Sequence, residues 1–114
     1  MCGIAGWVDW QRSLVDYIDV MGGMTETMAR RGPDEMKVKE LGKALLGHQR
    51  LAVIDLEGGR QPMQKTIGGR TYTIAYNGEL YNTESIRRTL AERGYTFQTT
   101  SDTEVLLTAY IEWQ

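Results

Sequence analysis

The chain has 114 residues, 41% of them hydrophobic and 25% charged, with a net charge of −2. That size and mixture suit one soluble globular domain, and the balanced charge gives no global pull towards nucleic acid or an anionic membrane. No apolar run approaches the roughly 20 residues needed to span a bilayer. The amino terminus has no basic start followed by an apolar stretch, so no signal peptide is expected. With one cysteine and no internal disulfide possible, a cytoplasmic location is the expectation.

The first element is Gly3-Ile4-Ala5-Gly6-Trp7-Val8, a short apolar run that reads as a buried strand and ties the extreme amino terminus into a sheet. Ser13 with Asp16 reads as a helix start. Leu14, Tyr17, Ile18, Met21, Met24 (or Thr25) and Met28 follow at helical spacing. Gly22-Gly23 threatens to break that helix in two, and Gly32-Pro33 ends it. Segments 36–41 and 43–55 read as strands. Gly68-Gly69 separates the run 64–67 from the run 70–76, which predicts a hairpin. Asn77-Gly78 marks a sharp turn. A helix is expected over 83–93, with Ile86, Leu90 and the stem of Arg93 on one face and Gly94 as its cap.

Ser101 with Glu104 reads as a capping box ahead of a last helix whose apolar positions are Val105, Leu106, Ala109, Tyr110 and Trp113. That pattern is still running at Gln114, so the chain is expected to be a fragment of a longer protein. No internal repeat or linker appears. Strands bracketed by helices predict an α+β fold with a largely antiparallel sheet.

Cys2 is the only cysteine and the second residue encoded. Initiator methionine is generally removed before a small residue. The mature chain would then carry a free α-amine on the carbon next to the thiol. Such an amine, with a reference pKa of about 7.7–8.0, is partly neutral at physiological pH and can act as a base. One residue would supply both nucleophile and base, and thiolate is intrinsically very nucleophilic. The plain alternative is an incidental cysteine acting as a small hydrophobe.

Six segments, taken in order, decide between these. They are Met1-Cys2-Gly3-Ile4-Ala5-Gly6, Arg31-Gly32-Pro33-Asp34, the run from Gly47-His48-Gln49-Arg50 to Leu56, Gln61-Pro62-Met63, Tyr76-Asn77-Gly78-Glu79-Leu80-Tyr81-Asn82 and Ser101-Asp102-Thr103-Glu104. Together they resemble the class II glutamine amidotransferases, and their order and spacing look like the asparagine synthetase branch. The resemblance covers the whole chain. It implies the N-terminal-nucleophile hydrolase fold, an αββα sandwich of antiparallel sheets flanked by helices, truncated here at its carboxyl end. It also implies a following synthetase domain, absent here, that uses ATP and Mg2+. The fragment itself is expected to need no cofactor.

The resemblance gives each residue a role. Cys2 attacks the side-chain amide of L-glutamine, ammonia leaves, and water hydrolyses the thioester to glutamate. The Asn77 carboxamide and the Gly78 backbone N–H hold the oxyanion. Judged locally, Asn77-Gly78 would be a type I′ hairpin turn, but Glu79-Leu80-Tyr81-Asn82 leads into a helix instead of a partner strand. Arg50 suits the substrate carboxylate because its planar fork binds two oxygens. Its plain alternative is a surface arginine on an edge strand. Asp102 suits the ammonium, and its plain alternative is a helix-start aspartate. Glu79 and backbone carbonyls near Leu51 and Val53 are implied helpers.

His48, the only histidine, is read as structural and not as a partner of Cys2. Arg31-Gly32-Pro33-Asp34 suggests a turn and no mechanism. The methionines at 21, 24 and 28 are read as core. One Cys and one His fall short of a metal cluster, and the glycine pairs at 58–59 and 68–69 lack the Lys-Ser/Thr of a phosphate loop. The expected partners are L-glutamine and the carboxyl-terminal synthetase domain, with no nucleic acid and no membrane, and with a homodimer left open. The reading is therefore an enzyme that hydrolyses glutamine to supply ammonia for the ATP-dependent conversion of aspartate to asparagine. Three alternatives stand beside it: a glutaminase with a different ammonia acceptor, a non-catalytic truncated fragment, and a redox sensor built on Cys2.

Overall fold

Three strands form the first sheet: β1 (Gly3–Val8), β2 (Glu35–Glu40) and β3 (Ala44–Arg50), in the antiparallel order β1-β3-β2. The computed structural model describes residues 1–52 and 57–114. β3 is therefore central, with Gly3 opposite Gln49 on one side and Glu35 opposite Arg50 on the other. Strand alternation sends Ala5 and Trp7 to one face, where they meet Leu14, Met21 and Leu45, all fully buried, and the half-buried Tyr17 and Val38. Helix α1 (Ile18–Glu26) lies on that face, entered through a 3₁₀ turn at Val15–Tyr17. The Ser13 hydroxyl accepts from the Val15 N–H at 3.3 Å.

Gly22-Gly23 does not break α1, which runs through both and stops at Glu26, two residues before Met28. Of the three methionines, only Met21 is fully buried, whereas Met24 is 43% exposed. The strand expected over 43–55 ends at Arg50, and its positions 53–55 lie outside the described residues.

The second sheet is the hairpin of β4 (Met63–Ile67) and β5 (Arg70–Ile74). Gly68 and Gly69 both adopt positive φ, 60° and 79°, as a two-residue primed turn requires. Helix α2 (Thr83–Glu92) ends as expected at Gly94: the Gly94 N–H bonds to the Ala91 carbonyl and the Tyr95 N–H to the Leu90 carbonyl, a Schellman closure.

Helix α3 (Asp102–Trp113) starts where the sequence predicts, but its cap and its buried face differ. The Ser101 hydroxyl accepts from the Thr103 N–H at 3.0 Å. Glu104 does not reach back to close the box. It turns to the loop before the helix and to Lys65 on β4, whose ammonium lies 3.0 Å away. The buried apolar positions are Val105, Leu107 and Ile111, while Tyr110 and Trp113 are exposed. The architecture is α+β with antiparallel sheets and helices. Among the described residues, no helix is long and apolar enough to cross a membrane.

Candidate active site

The pairing of β1 with β3 fixes the neighbourhood of Cys2. Gly3 faces Gln49, so the residue before β1 meets the residues that leave β3. The Leu51 N–H donates to the Cys2 sulfur at 3.3 Å, and the thiol faces the Leu51 carbonyl at 3.6 Å. Arg31 donates to the Cys2 carbonyl at 3.2 Å. Asp34 donates its N–H to the Arg50 carbonyl at 2.9 Å and accepts from the Ala52 N–H at 2.8 Å. Between them Gly32 lies against the Gln49 carbonyl and the Arg50 nitrogen so closely that any Cβ would overlap that backbone. The turn at 31–34 is thus a brace for both Cys2 and the end of β3, a role its local sequence did not suggest.

Arg50 is the last residue of the central strand and only 5% exposed, which corrects the alternative of a surface arginine on an edge strand. Glu35, opposite it on β2, brings a carboxylate to 3.8 Å and also meets Arg60 at 3.4 Å. A guanidinium this enclosed needs such a counter-charge.

The opposite wall comes from the segment after β5 and from the first residue of α3. Asn77-Gly78 does not join two paired strands; it follows β5 and precedes α2, so the hairpin-turn alternative fails. A side chain at position 78 would strike the Tyr76 hydroxyl, 2.7 Å from the Cβ position. Asp102 is 9% exposed, and one of its carboxylate oxygens accepts from the Leu80 N–H at 3.1 Å. That bond joins the 77–82 segment to α3. Burial, followed by the negative charges of Asp102 and Glu79, pushes the Tyr76 phenol up, so it remains a neutral hydroxyl.

A cavity of about 410 Å³ lies between these walls, a size suited to a small ligand. Its lining includes Cys2, Arg50, Leu51, Asn77, Gly78, Glu79 and Asp102, positions named from the sequence. Val53 falls outside the described residues. Gln61, Tyr76 and Thr103 also line it; they lay within the family-like segments but carried no assigned role. His48 is not part of the lining. It is 1% exposed, and its Nε2 donates to the Tyr76 carbonyl at 3.2 Å instead of meeting Cys2. Burial lowers its pKa most, Arg50 lowers it further, and the Tyr76 carbonyl and Glu35 oppose them.

The family described as the glutamine amidotransferase domain matches residues 1–114. The chain belongs to that family. Its relatives include the glutamine-hydrolyzing asparagine synthetase 3 of Bacillus subtilis, 59% identical over 114 residues, which are all of this chain and 19% of that protein. Asparagine synthetase B of Escherichia coli, also named glutamine-hydrolyzing, is 36% identical over 98% of this chain and 20% of its own length. The glutamine-hydrolyzing asparagine synthetase of Sandersonia aurantiaca is 36% identical over 98% of this chain and 21% of its own. The chain thus spans about a fifth of the length of these relatives. Within this amidotransferase domain, no group of three His, Cys, Asp or Glu side chains converges as metal ligands among the described residues.

Proposed function

We propose that this amidotransferase domain hydrolyses glutamine to glutamate and ammonia, with Cys2 as an N-terminal nucleophile, as the glutaminase part of a glutamine-dependent asparagine synthetase. The observation that carries the reading is one cavity lined at once by a thiol, a buried arginine, a carboxamide-glycine pair and a buried aspartate. In this scheme removal of Met1 frees the Cys2 amine. Glutamine enters with its carboxylate on the Arg50 fork and its ammonium on Asp102, aided by Glu79 and by backbone carbonyls at Leu51 and Val53. A zwitterion clamp of this kind accepts a free amino acid and rejects an amide within a protein chain.

The Cys2 thiol passes its proton to the α-amine, and sulfur attacks the amide carbon. The oxygen of the tetrahedral intermediate takes hydrogen bonds from the Asn77 carboxamide and the Gly78 N–H. The C–N bond then breaks, with the proton on the α-amine going to the leaving ammonia. Water attacks the thioester, releasing glutamate and restoring the thiol. The Leu51 N–H, already on the sulfur, aims it throughout.

The same reading gives the fold its finer form, an αββα sandwich completed by chain beyond residue 114. ATP, Mg2+ and the aspartate-to-asparagine step belong to a synthetase domain there, and the site of action is the cytoplasm. The test is glutamine hydrolysis by wild type, Cys2→Ser and Cys2→Ala, with the mass of the purified amino terminus. We expect Met1 to be absent and both variants to lose at least about 10³-fold in kcat. Full activity with Met1 retained, or a Cys2→Ala variant as active as wild type, would overturn the mechanism.

A further inference from the structure

Tyr76, the residue before the Asn77-Gly78 pair, has both its backbone groups gripped by buried side chains from two other parts of the chain. The Tyr76 N–H donates to the Gln61 side-chain carbonyl, and the Tyr76 carbonyl accepts from His48 Nε2 at 3.2 Å. Gln61 also donates from its amide nitrogen to the Thr103 hydroxyl at 3.2 Å, one residue beyond Asp102. Both gripping residues are shut away from water, His48 at 1% and Gln61 at 7% exposed. A carbonyl can only accept, so His48 must carry its proton on Nε2. Its Nδ1 is then a bare lone pair, and this atom has no hydrogen-bond partner among the described residues. The Gln61 orientation is fixed in the same way, with its oxygen towards an N–H and its nitrogen towards a hydroxyl.

We propose that His48 and Gln61 are positioning residues that hold the Asn77-Gly78 oxyanion donors in register with Cys2 and Asp102. This rests on the glutaminase reading and deepens it. His48 leaves the same strand as Arg50, two residues earlier, so the strand that carries the carboxylate clamp also holds the oxyanion turn. Gln61 ties that turn to the start of α3, where the ammonium clamp sits. One turn is thereby indexed to both ends of the substrate. Transition-state donors are sensitive to such indexing, because they must meet an oxygen that moves as the carbon becomes tetrahedral. The ground-state grip on glutamine runs through Arg50 and Asp102 and does not need it.

The test is steady-state glutamine hydrolysis by the full chain carrying His48→Leu, His48→Gln, Gln61→Met or Thr103→Val, alongside Cys2→Ala, with glutamate binding by calorimetry as the measure of an intact clamp. We expect His48→Leu and Gln61→Met to lower kcat by about 10–100-fold, short of the loss of a donor itself. KM and glutamate affinity should stay within about threefold. His48→Gln, whose amide nitrogen can replace Nε2 as donor, should recover most of the loss. Thr103→Val, which removes one end of the Gln61 brace, should lower kcat several-fold and serves if Gln61→Met does not fold. The proposal is overturned if kcat is unchanged, if the loss appears in KM and glutamate affinity, or if His48→Gln is no better than His48→Leu. A Cys2→Ala variant that still hydrolyses glutamine overturns the glutaminase reading and this one with it. An inactive Cys2→Ala beside a fully active Gln61→Met overturns only the positioning role.

Discussion

Arg50 and Asp102 are both nearly closed off from bulk solvent, and both line the cavity. Glu35 stands 3.8 Å from the guanidinium, and Asp102 accepts one backbone N–H. Arg50→Lys should therefore keep the charge, lose the two-pronged geometry, and raise the glutamine KM by about 10–100-fold with kcat nearly unchanged; equal KM values for variant and wild type would remove Arg50 from substrate binding. Gly32→Ala should act differently, since its Cβ would overlap the Gln49 carbonyl. We expect a loss of about 1–3 kcal/mol of stability in denaturant unfolding, and an unchanged midpoint would show that the backbone there yields freely. Seven of the lining positions were named from the sequence because they sit in short, distinctive segments, whereas Gln61, Tyr76 and Thr103 sat in such segments without a role. The brace at 31–34 was not, because Arg31 reaches a carbonyl 29 residues away and Asp34 an N–H 18 residues away. Local turn chemistry carries no trace of such partners.

At the scale of elements, the sequence located every helix and strand among the described residues but misread what α3 buries. Periodicity favoured Leu106, Tyr110 and Trp113, whereas the packed face carries Glu104 and Thr108 as well as Leu107 and Ile111. Glu104 was read as a capping-box residue and Thr108 was given no role, because their partner, Lys65, lies on another element. Lys65 donates to Glu104, to the Thr108 hydroxyl and to the Thr96 carbonyl, so the hairpin is fastened to α3 by charge. Burial pushes Glu104 up, but the Thr99 hydroxyl, the Gln98 N–H, Lys65 and the Thr99 N–H outweigh it and hold the carboxyl below its ordinary value of 4.5. The folded carboxyl thus titrates below the unfolded one. Its stabilisation is complete above about pH 4.5 and disappears as pH falls through the folded value. Glu104→Gln should cost about 2–3 kcal/mol at neutral pH, less than breaking most buried pairs because Lys65 keeps its other two acceptors. It should also flatten the acid limb of the stability profile. An acid limb identical to that of wild type would show that another group governs it.

For the molecule as a whole, the α+β class was readable from segment order, but the faces left without cover become visible only once the register is known. The register that sends Ala5 and Trp7 into the α1 core sends Ile4 and Val8 to the other side of the sheet, where they are 48% and 52% exposed. β1 is also an edge strand, paired only with β3 among the described residues. An apolar face next to an unpaired edge favours association between copies. The relatives are about five times longer than this chain, and the αββα sandwich proposed above would place another sheet over this face. Two expectations follow from one geometry. Residues 1–114 produced alone should associate with rising concentration in sedimentation velocity, and Ile4→Lys should suppress that association. In the full-length protein the same Ile4→Lys should instead destabilise the fold, because the lysine would be buried without a partner. A monomeric 1–114 species at every accessible concentration, together with a full-length Ile4→Lys as stable as wild type, would mean that this face stays open to solvent in both.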